Sequence, residues 1–171
     1  MTPKPPRIAS SKHLSTPETL PLSELEFALT ILHNAFNKWI VRCSGAICSY
    51  DLNAIEVLTL HNIHQRETQQ RRIDICFMLN IEDTHTVNYA LKKLSKHGLI
   101  VGSKRGKEIF YSTTDEGHNV CEQYREVRDA CLIPGLNVID GGTEILSDIA
   151  LTMRTLSGLY DQAARSAASM S

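Results

Sequence analysis

The sequence predicts a mainly α-helical protein with one small β-hairpin, and three observations lead to this fold class. Apolar residues recur with the helical period from Thr84 to His97, and Gly98 then ends the helix as a left-handed cap. Two β-prone runs, Leu99–Val101 and Glu108–Thr113, flank the turn-forming stretch GSKRGK. Helical patterns lie on both sides of this region. Together they predict a winged helix-turn-helix core, with the hairpin as its wing, and N- and C-terminal dimerisation helices.

The helix predicted over 84–97 has two chemically different faces. On a helical wheel with about 100° per residue, the residues of the polar face lie within roughly 60° of His85. They are His85, Asn88, Tyr89, Lys92 and Lys96. The opposite face carries Val87, Ala90, Leu91 and Leu94. Amide, imidazole, phenol and ammonium groups suit base edges and phosphates, so the polar face is a candidate DNA-reading surface.

Charge is segregated in this chain, although the net charge is only −1. Basic residues without any acidic neighbour occupy the stretch from position 92 to 107: Lys92, Lys93, Lys96, Lys104, Arg105 and Lys107. A second cluster, Arg66, Arg71 and Arg72, precedes the candidate reading helix. A small basic footprint on a neutral body fits a dimer that contacts DNA, and the alternative is a solvated charged face.

Composition narrows the class of protein. A chain of 171 residues with 42% hydrophobic residues can form one folded domain with an appended helical arm. Neither a membrane span nor the apolar core of a signal peptide is present in the sequence, and the five scattered cysteines lack CxxC spacing. These features predict a cytoplasmic protein. Without a nucleophile elbow, P-loop, HExxH or dinucleotide motif, we expect neither an enzyme nor a cofactor.

The chain divides into four predicted segments. Residues 1–21 form a mobile arm, 22–50 the N-terminal dimerisation helix, 51–117 the winged helix-turn-helix domain and 118–171 the C-terminal dimerisation helices. Ser23 is the expected N-cap of the first helix, with Glu26 as its capping-box partner. The apolar stripe of this helix is wider than one small domain needs, which suggests a partner.

Short helices fill the region between the first helix and the reading helix. Asp51 is predicted to cap a helix over Leu52–Ile63, with its inner face formed by Ile55, Leu58 and Leu60. A second short helix, Arg72–Leu79, is predicted to turn inward Ile73, Cys76, Phe77 and Leu79. Glu82 or Asp83 then caps the reading helix, because acidic residues favour its positive end.

Helices also follow the wing. One is predicted over Asp115–Cys131 and ends before Pro134-Gly135, and a final one is capped by Thr143 and runs to about Ala168. The terminal helices are too apolar on one side to stand alone, so both are expected to pair with a second copy. The alternative is that they pack on their own domain. The predicted dimer contacts are Leu25, Leu29, Leu32, Phe36, Ile149, Met153, Leu156 and Tyr160.

The order of elements, the pattern TVNYALKKLSKHGLI and the TTDEG turn after the wing resemble the MarR family of bacterial winged-helix transcription regulators. DICFMLNIEDTHTVNYALKKL followed by KRGKEIFYSTT resembles one proteobacterial branch of it. The resemblance extends from Leu22 to the C-terminus and is strongest over Leu52–Gly117. It implies a bacterial, cytoplasmic homodimer, associated with the nucleoid when it binds a pseudo-palindromic operator in double-stranded DNA.

The resemblance also implies roles for individual residues. His85, Thr86, Asn88 and Tyr89 stand where family members meet base edges. Arg105 best matches the wing arginine of the family. A small-molecule effector is implied as well, and its candidate pocket residues are Phe36, Trp39, Tyr124 and Tyr160.

Two departures from the family pattern concern the wing. Members of the family carry an Asp that braces the wing arginine, whereas the tip here is SKRGK, and Glu108 is the alternative brace. The Leu-Thr pair usual after the wing is replaced by Thr113-Thr114.

Three other functions compete with DNA regulation by a small molecule. His61 and His64 have the spacing of metal ligands but lack an evident third ligand, so no metal is expected. Oxidant sensing would need a reactive thiol among Cys43, Cys48, Cys121 and Cys131, of which Cys131, beside Arg128, is the best candidate. A winged helix can also act purely as a protein–protein module, although such a module does not need a cationic wing.

Overall fold

The computed structural model describes residue 13 and residues 16–66, 69–139 and 142–170. Most of the predicted N-terminal arm, residues 1–12 and 14–15, lies outside the described residues. The chain forms two compact units, residues 1–124 and 125–171. The fold is mainly α-helical with a small antiparallel sheet, as the sequence predicts.

The first unit contains the winged helix-turn-helix core. Its elements in chain order are α1 (Leu20–Ile47), α2 (Ala54–His64), β1 (Gln70–Arg71), α3 (Arg72–Met78), α4 (Thr84–Lys96), β2 (Ile100–Arg105), β3 (Glu108–Thr113) and the first half of α5 (Asp115–Leu132). The strands form one antiparallel sheet in the order β1-β3-β2. The hairpin register pairs Ile100 with Thr113 at its base and Arg105 with Glu108 at its tip.

The core of this unit lies between α2, α4 and the base of the hairpin. Its most completely buried side chains include Ile40, Leu60, Ile75, Val87, Leu91, Leu94 and Leu99. All four residues predicted for the inner face of the reading helix are buried. The polar face of α4 is thereby turned away from the core.

Two predicted helix starts are wrong. The first helix begins at Leu20, because Pro21 in its first turn has the backbone angle that a helix start favours, and Ser23 is buried inside the helix. The N-cap of α2 is Asn53 instead of Asp51. Asn53 accepts from the backbone N–H of Glu56 at 3.0 Å, and Glu56 Oε2 accepts from that of Asn53 at 2.8 Å. Asp51 has Ala54 three residues on, which cannot complete such a box.

The predicted inner face of α3 is also wrong. Ile75 and Cys76 are its buried residues, whereas Ile73 is exposed and Phe77 is 84% exposed. Residues 73 and 77 lie on one side of a helix, more than 100° around from the face centred between 75 and 76. In α2, Val57 and Leu60 are buried, while Ile55 and Leu58 are half-buried.

The first hairpin strand is longer than predicted, the second has the predicted bounds, and one further strand was not predicted. β2 continues through Arg105, so the turn is formed by Gly106, with a positive φ of 61°, and Lys107. Pairing of Gln70 with Tyr111 and of Arg71 with Phe110 makes β1 the third strand. The predicted left-handed cap is confirmed, since Gly98 has a φ of 71°.

The second unit begins within α5. A short 3₁₀ helix, Ile133–Val138, follows α5 and contains Pro134 and Gly135, the predicted break. The last helix, α6 (Gly142–Ala168), begins one residue before Thr143, the predicted cap. No helix in the described part of the chain is long and apolar enough to cross a membrane.

Candidate nucleic-acid interface

The start of α4 is fixed by Asp83. Its carboxylate accepts from the backbone N–H of His85 at 2.9 Å and from the hydroxyl of Thr86 at 3.1 Å. The backbone hydrogen bond is the main reason why the pKa of Asp83 lies below its usual value. Asp83 rather than Glu82 is therefore the cap. The Thr86 hydroxyl is engaged in this cap, which leaves His85 more open than Thr86 at the helix start.

The outward face of α4 carries half of the predicted DNA-contacting residues. His85, Tyr89, Lys92 and Lys96 are exposed, and Asn88 is half-buried. Tyr89 is 69% exposed, and the Lys92 ammonium lies 5.9 Å from its ring centroid. This cation–π contact aligns a phenol and a cation side by side on the face that the domain turns outward.

Lys93 differs from the other lysines of α4. Its Nζ lies 2.9 Å from Oε2 of Glu56, whose side chain is only 8% exposed, and it also donates to the backbone carbonyl of Asp51. Lys93 thus links α4 to the start of α2. Lys93 was predicted to contact DNA, but its ammonium forms an ion pair with Glu56 of the same domain.

The wing presents Lys104, Arg105 and Lys107, all of them exposed. Arg105 donates to Gln69 Oε1 at 2.6 Å, and its guanidinium lies 5.2 Å from the ring centroid of Phe110. The prediction that Glu108 braces Arg105 is wrong, because Glu108 pairs with Arg71 at 3.0 Å. The wing arginine is therefore held by an amide and an aromatic ring.

A groove of about 310 Å³ separates α4 from the wing. It is lined by Arg71, Arg72, Ile73, Asn88, Lys107, Glu108, Ile109 and Tyr111. Asn88 and Lys107 both line this space, so an amide, a group type suited to base edges, and a cation, a group type suited to phosphates, lie around the same groove.

A second cleft, of about 750 Å³, lies between α1, α2 and α4. Of the predicted effector-pocket residues, Phe36 lines it, together with apolar side chains such as Ile55, Leu58 and Leu79. The other three predicted residues do not line it. Tyr124 is buried in the core against His61, with 4.5 Å between ring centroids, and Tyr160 belongs to the second unit. Thr86 and Tyr89 of α4 also face the cleft.

Apolar faces remain exposed on both terminal helices. On α1 the exposed predicted dimer residues are Leu25, Leu29, Leu32 and Phe36. On α6 they are Ile149, Met153 and Tyr160, while Leu156 is half-buried. Each helix thus carries more apolar surface than its own unit covers.

The residues named for the metal and the thiol alternatives all lie in the described part of the chain. Among the described residues, no group of three or more His, Cys, Asp or Glu could hold a metal. His61 packs on Tyr124, and its pKa is lowered to about 4, first by burial and then by the nearby His64. Burial raises the pKa of Cys121 to about 12, which disfavours a thiolate. Cys131 is exposed, but Arg128 bonds Asp129 at 3.1 Å.

Comparison with known proteins places the core in a known class. Residues 52–117 match the family model described as a winged helix DNA-binding domain. No curated protein sequence matches the chain. The similarity of this chain to known proteins therefore rests on the domain model and on solved structures.

Solved structures with the same fold are transcription regulators. A MarR family regulator from Neisseria meningitidis has 19% sequence identity and a TM-score of 0.59, over 83% of this chain and 97% of that one. The S. aureus MepR in its DNA complex has 14% identity and a TM-score of 0.62, over 77% and 97%. The regulator BldR from Sulfolobus solfataricus has 14% identity and a TM-score of 0.66, over 82% and 99%.

The Neisseria meningitidis protein is a MarR family regulator, and BldR is a transcriptional regulator. The chain shares the winged-helix fold of these proteins, and its similarity to the model of a winged helix DNA-binding domain covers residues 52–117.

Proposed function

We propose that the protein is a MarR-family transcription regulator that binds double-stranded DNA in a sequence-specific manner as a homodimer. The observation that carries the proposal is the exposed polar and cationic face of α4 beside a cationic wing, on a winged-helix domain. Regulators of the same fold include one solved in complex with DNA. We place the protein in the bacterial cytoplasm, at the nucleoid when it is bound to DNA.

In the proposed complex, residues 84–97 enter the major groove and the wing, residues 101–113, lies on the minor groove and backbone. Asn88 can bind adenine in a bidentate way, and such a contact discriminates by about 1–3 kcal/mol. His85 and Tyr89 reach neighbouring bases or phosphates, while Lys92 and Lys96 replace phosphate counterions. Arg105, held by Gln69 and Phe110, reads a narrow minor groove.

The dimer follows from the uncovered apolar faces of α1 and α6. A two-fold arrangement covers both and presents two copies of α4 to one side of the duplex. The operator is then pseudo-palindromic, with half-sites about one helical turn, roughly 34–36 Å, apart.

The cleft between α1, α2 and α4 is the proposed effector site. Its lining is mostly apolar with a few polar groups, His33 and Asn37 among them, which suits a small molecule with an apolar body and one polar end. Thr86 and Tyr89 belong both to its wall and to the DNA-contacting set. A ligand in the cleft would therefore act directly on the reading helix.

In-vitro selection of random duplexes by the purified protein at physiological salt tests the proposal. We expect enrichment of an inverted repeat with half-sites about 10 bp apart. Asn88→Ala should relax the selected sequence, whereas Lys104→Ala with Arg105→Ala should weaken binding to all duplexes alike. Normal operator binding by both variants would remove the assigned DNA face.

Recovery of no duplex at low salt would favour a protein–protein module instead. The feature that supports this second function is the uncovered apolar pair Ile73 and Phe77 on α3. Substitution of Phe77 by Ser would then abolish partner capture, a result that DNA binding does not predict.

A further inference from the structure

The tip of the wing is tied to α3 by one arginine. Arg71 forms a two-pronged pair with Asp74, from Nε to Oδ2 at 2.9 Å and from Nη2 to Oδ1 at 2.8 Å. Its remaining Nη1 donates to Oε1 and Oε2 of Glu108 at 3.0 and 3.2 Å. One guanidinium therefore holds two carboxylates on two different elements.

The two ends of this bridge lie on elements that frame the groove between α4 and the wing. Asp74 belongs to α3, the helix packed against α4, and Glu108 is the first residue of β3, directly after the wing turn. Arg71 and Glu108 both line the groove, with Asn88 and Lys107. The bridge thus connects the wing to α3, the helix that packs against α4.

We propose that Arg71 is a positioning residue that sets the wing against the reading helix by bridging Asp74 and Glu108. The proposal rests on the proposed function of α4 and the wing. Arg71 itself does not neutralise phosphate, because two carboxylates already occupy its guanidinium. The planar, multi-donor guanidinium suits this task, and a lysine cannot reproduce it.

The bridge also accounts for the missing brace in the tip SKRGK. Here the cross-strand neighbour of Arg105 at the tip is Glu108, and the carboxylate of Glu108 pairs with Arg71 instead of Arg105. Arg105 has its own support from Gln69, two residues before Arg71. The segment 69–71 therefore holds the wing at two points.

For Glu108→Gln, the loss of charge and the loss of the bridge predict opposite changes in DNA affinity. The substitution removes a negative charge from the DNA-facing wing, so electrostatics alone predicts tighter binding to any duplex. Loss of the bridge predicts weaker binding to the operator, by about fivefold, since networked two-pronged pairs are at the upper end for surface ion pairs. Affinities for the selected operator and for a random duplex would be measured across a salt series.

Arg71→Lys keeps the charge and breaks the geometry, and we expect the same selective loss. The double variant Arg71→Lys/Glu108→Gln should bind no worse than the weaker single variant, because both remove one interaction. Glu82→Gln is the matched control, an exposed acid beside α4 that forms no ion pair with the described residues. It should bind both duplexes at least as tightly as the unmodified protein.

The outcomes separate this proposal from the one on which it rests. If the unmodified protein selects no operator, the proposed function fails. If it selects one and Glu108→Gln binds that operator equally or more tightly, the positioning role fails while the function stands. Equal loss for operator and random duplex would also overturn it, since that result indicates a smaller folded fraction.

Discussion

Lysines three residues apart on one helix have different tasks. Lys93 pairs with the nearly buried Glu56, which also completes the capping box of α2. Lys96 is exposed on the polar face. From the sequence, both lysines belong to one basic cluster. Residue type and spacing do not reveal that Glu56, a carboxylate of another helix, lies beside Lys93.

Lys93→Ala should therefore destabilise the fold, while Lys96→Ala should weaken DNA binding. Removing the Lys93 ammonium leaves the Glu56 carboxylate poorly compensated, at a cost of about 1–3 kcal/mol. Thermal and urea unfolding of both variants would measure it. Lys96→Ala should unfold like the unmodified protein but lower the salt slope of binding by about one. The reverse assignment of the two phenotypes would refute this division.

His61 makes the stability of the domain sensitive to acid. Its folded-state pKa, about 4, lies below the ordinary value of 6.5, because burial disfavours the charged ring and His64 lies nearby. The unfolded chain therefore binds the proton more tightly, and acid favours unfolding. Stability is complete above about pH 6.5 and falls toward pH 4, by about 2–3 kcal/mol from this residue.

His61→Phe should remove that part of the pH dependence. Free energies of unfolding measured from pH 7.5 to 4 should fall less steeply in this variant, which keeps a ring against Tyr124. His33→Gln, at an exposed position of α1, should follow the curve of the unmodified protein. Parallel curves for all three proteins would show that His61 is not the cause.

Among the elements, α4 is the one that its sequence determines most completely. Its apolar face, its cap and its end at Gly98 are all as predicted, because each rests on local chemistry: a strong period, an acid at the N-cap and a glycine with positive φ. The residues of its polar face could be predicted from the sequence for the same reason.

The sheet and the bridge to the wing could not be predicted in this way. β1 is two residues long, and its pairing with β3 depends on a contact across about 40 positions of sequence. The partners of Arg71 and Arg105, Glu108 and Gln69, are likewise distant in sequence. The inner face of α3 was misassigned because seven residues are too few for a period to fix a phase.

The junction between the wing and α5 depends on a glycine. A Cβ added to Gly117 would lie 1.9 Å from the backbone oxygen of Leu99. Gly117 also donates to the hydroxyl of Thr114 at 3.1 Å, which in turn donates to the carbonyl of Gly98 at 2.6 Å. In the turn TTDEG, the backbone at Gly117 therefore lies close to the backbone at Leu99, at the base of the hairpin.

Gly117→Ala should destabilise the first unit by about 2–3 kcal/mol, since the obstructing atom is backbone and cannot rotate away. Gly45→Ala, in α1 with no atom near its added Cβ, should instead stabilise by up to ~1 kcal/mol through helix propensity. Urea unfolding of both variants would measure these two opposite changes in the free energy of unfolding. A neutral Gly117→Ala would mean that α5 can move away from β2 at no cost.

At the scale of the whole molecule, both terminal helices combine length with uncovered apolar surface. α1 has 28 residues and α6 has 27, and each has a line of exposed Leu, Ile, Met or aromatic side chains. Single exposed apolar residues are ordinary, but two continuous stripes on one chain indicate an interface. The sequence predicts the stripes through their period and leaves open which surface covers them.

Ile149→Glu should dissociate the proposed dimer and with it abolish operator binding. The residue belongs to the exposed apolar stripe of α6, and in the proposed interface a carboxylate there would have to be buried without a partner. Light scattering after gel filtration should give about 19 kDa for the variant and twice that for the unmodified protein. Circular dichroism would verify that the helices persist.

Ser147→Glu provides the matched control for this charge. Ser147 is exposed and lies on the opposite side of the same helix, a rotation of about 200° from Ile149. It should remain dimeric and bind the operator normally. A monomeric unmodified protein that still selects an inverted repeat would mean that the dimer forms only on DNA, whereas a dimeric Ile149→Glu would move the interface away from α6 and leave α1 to supply it.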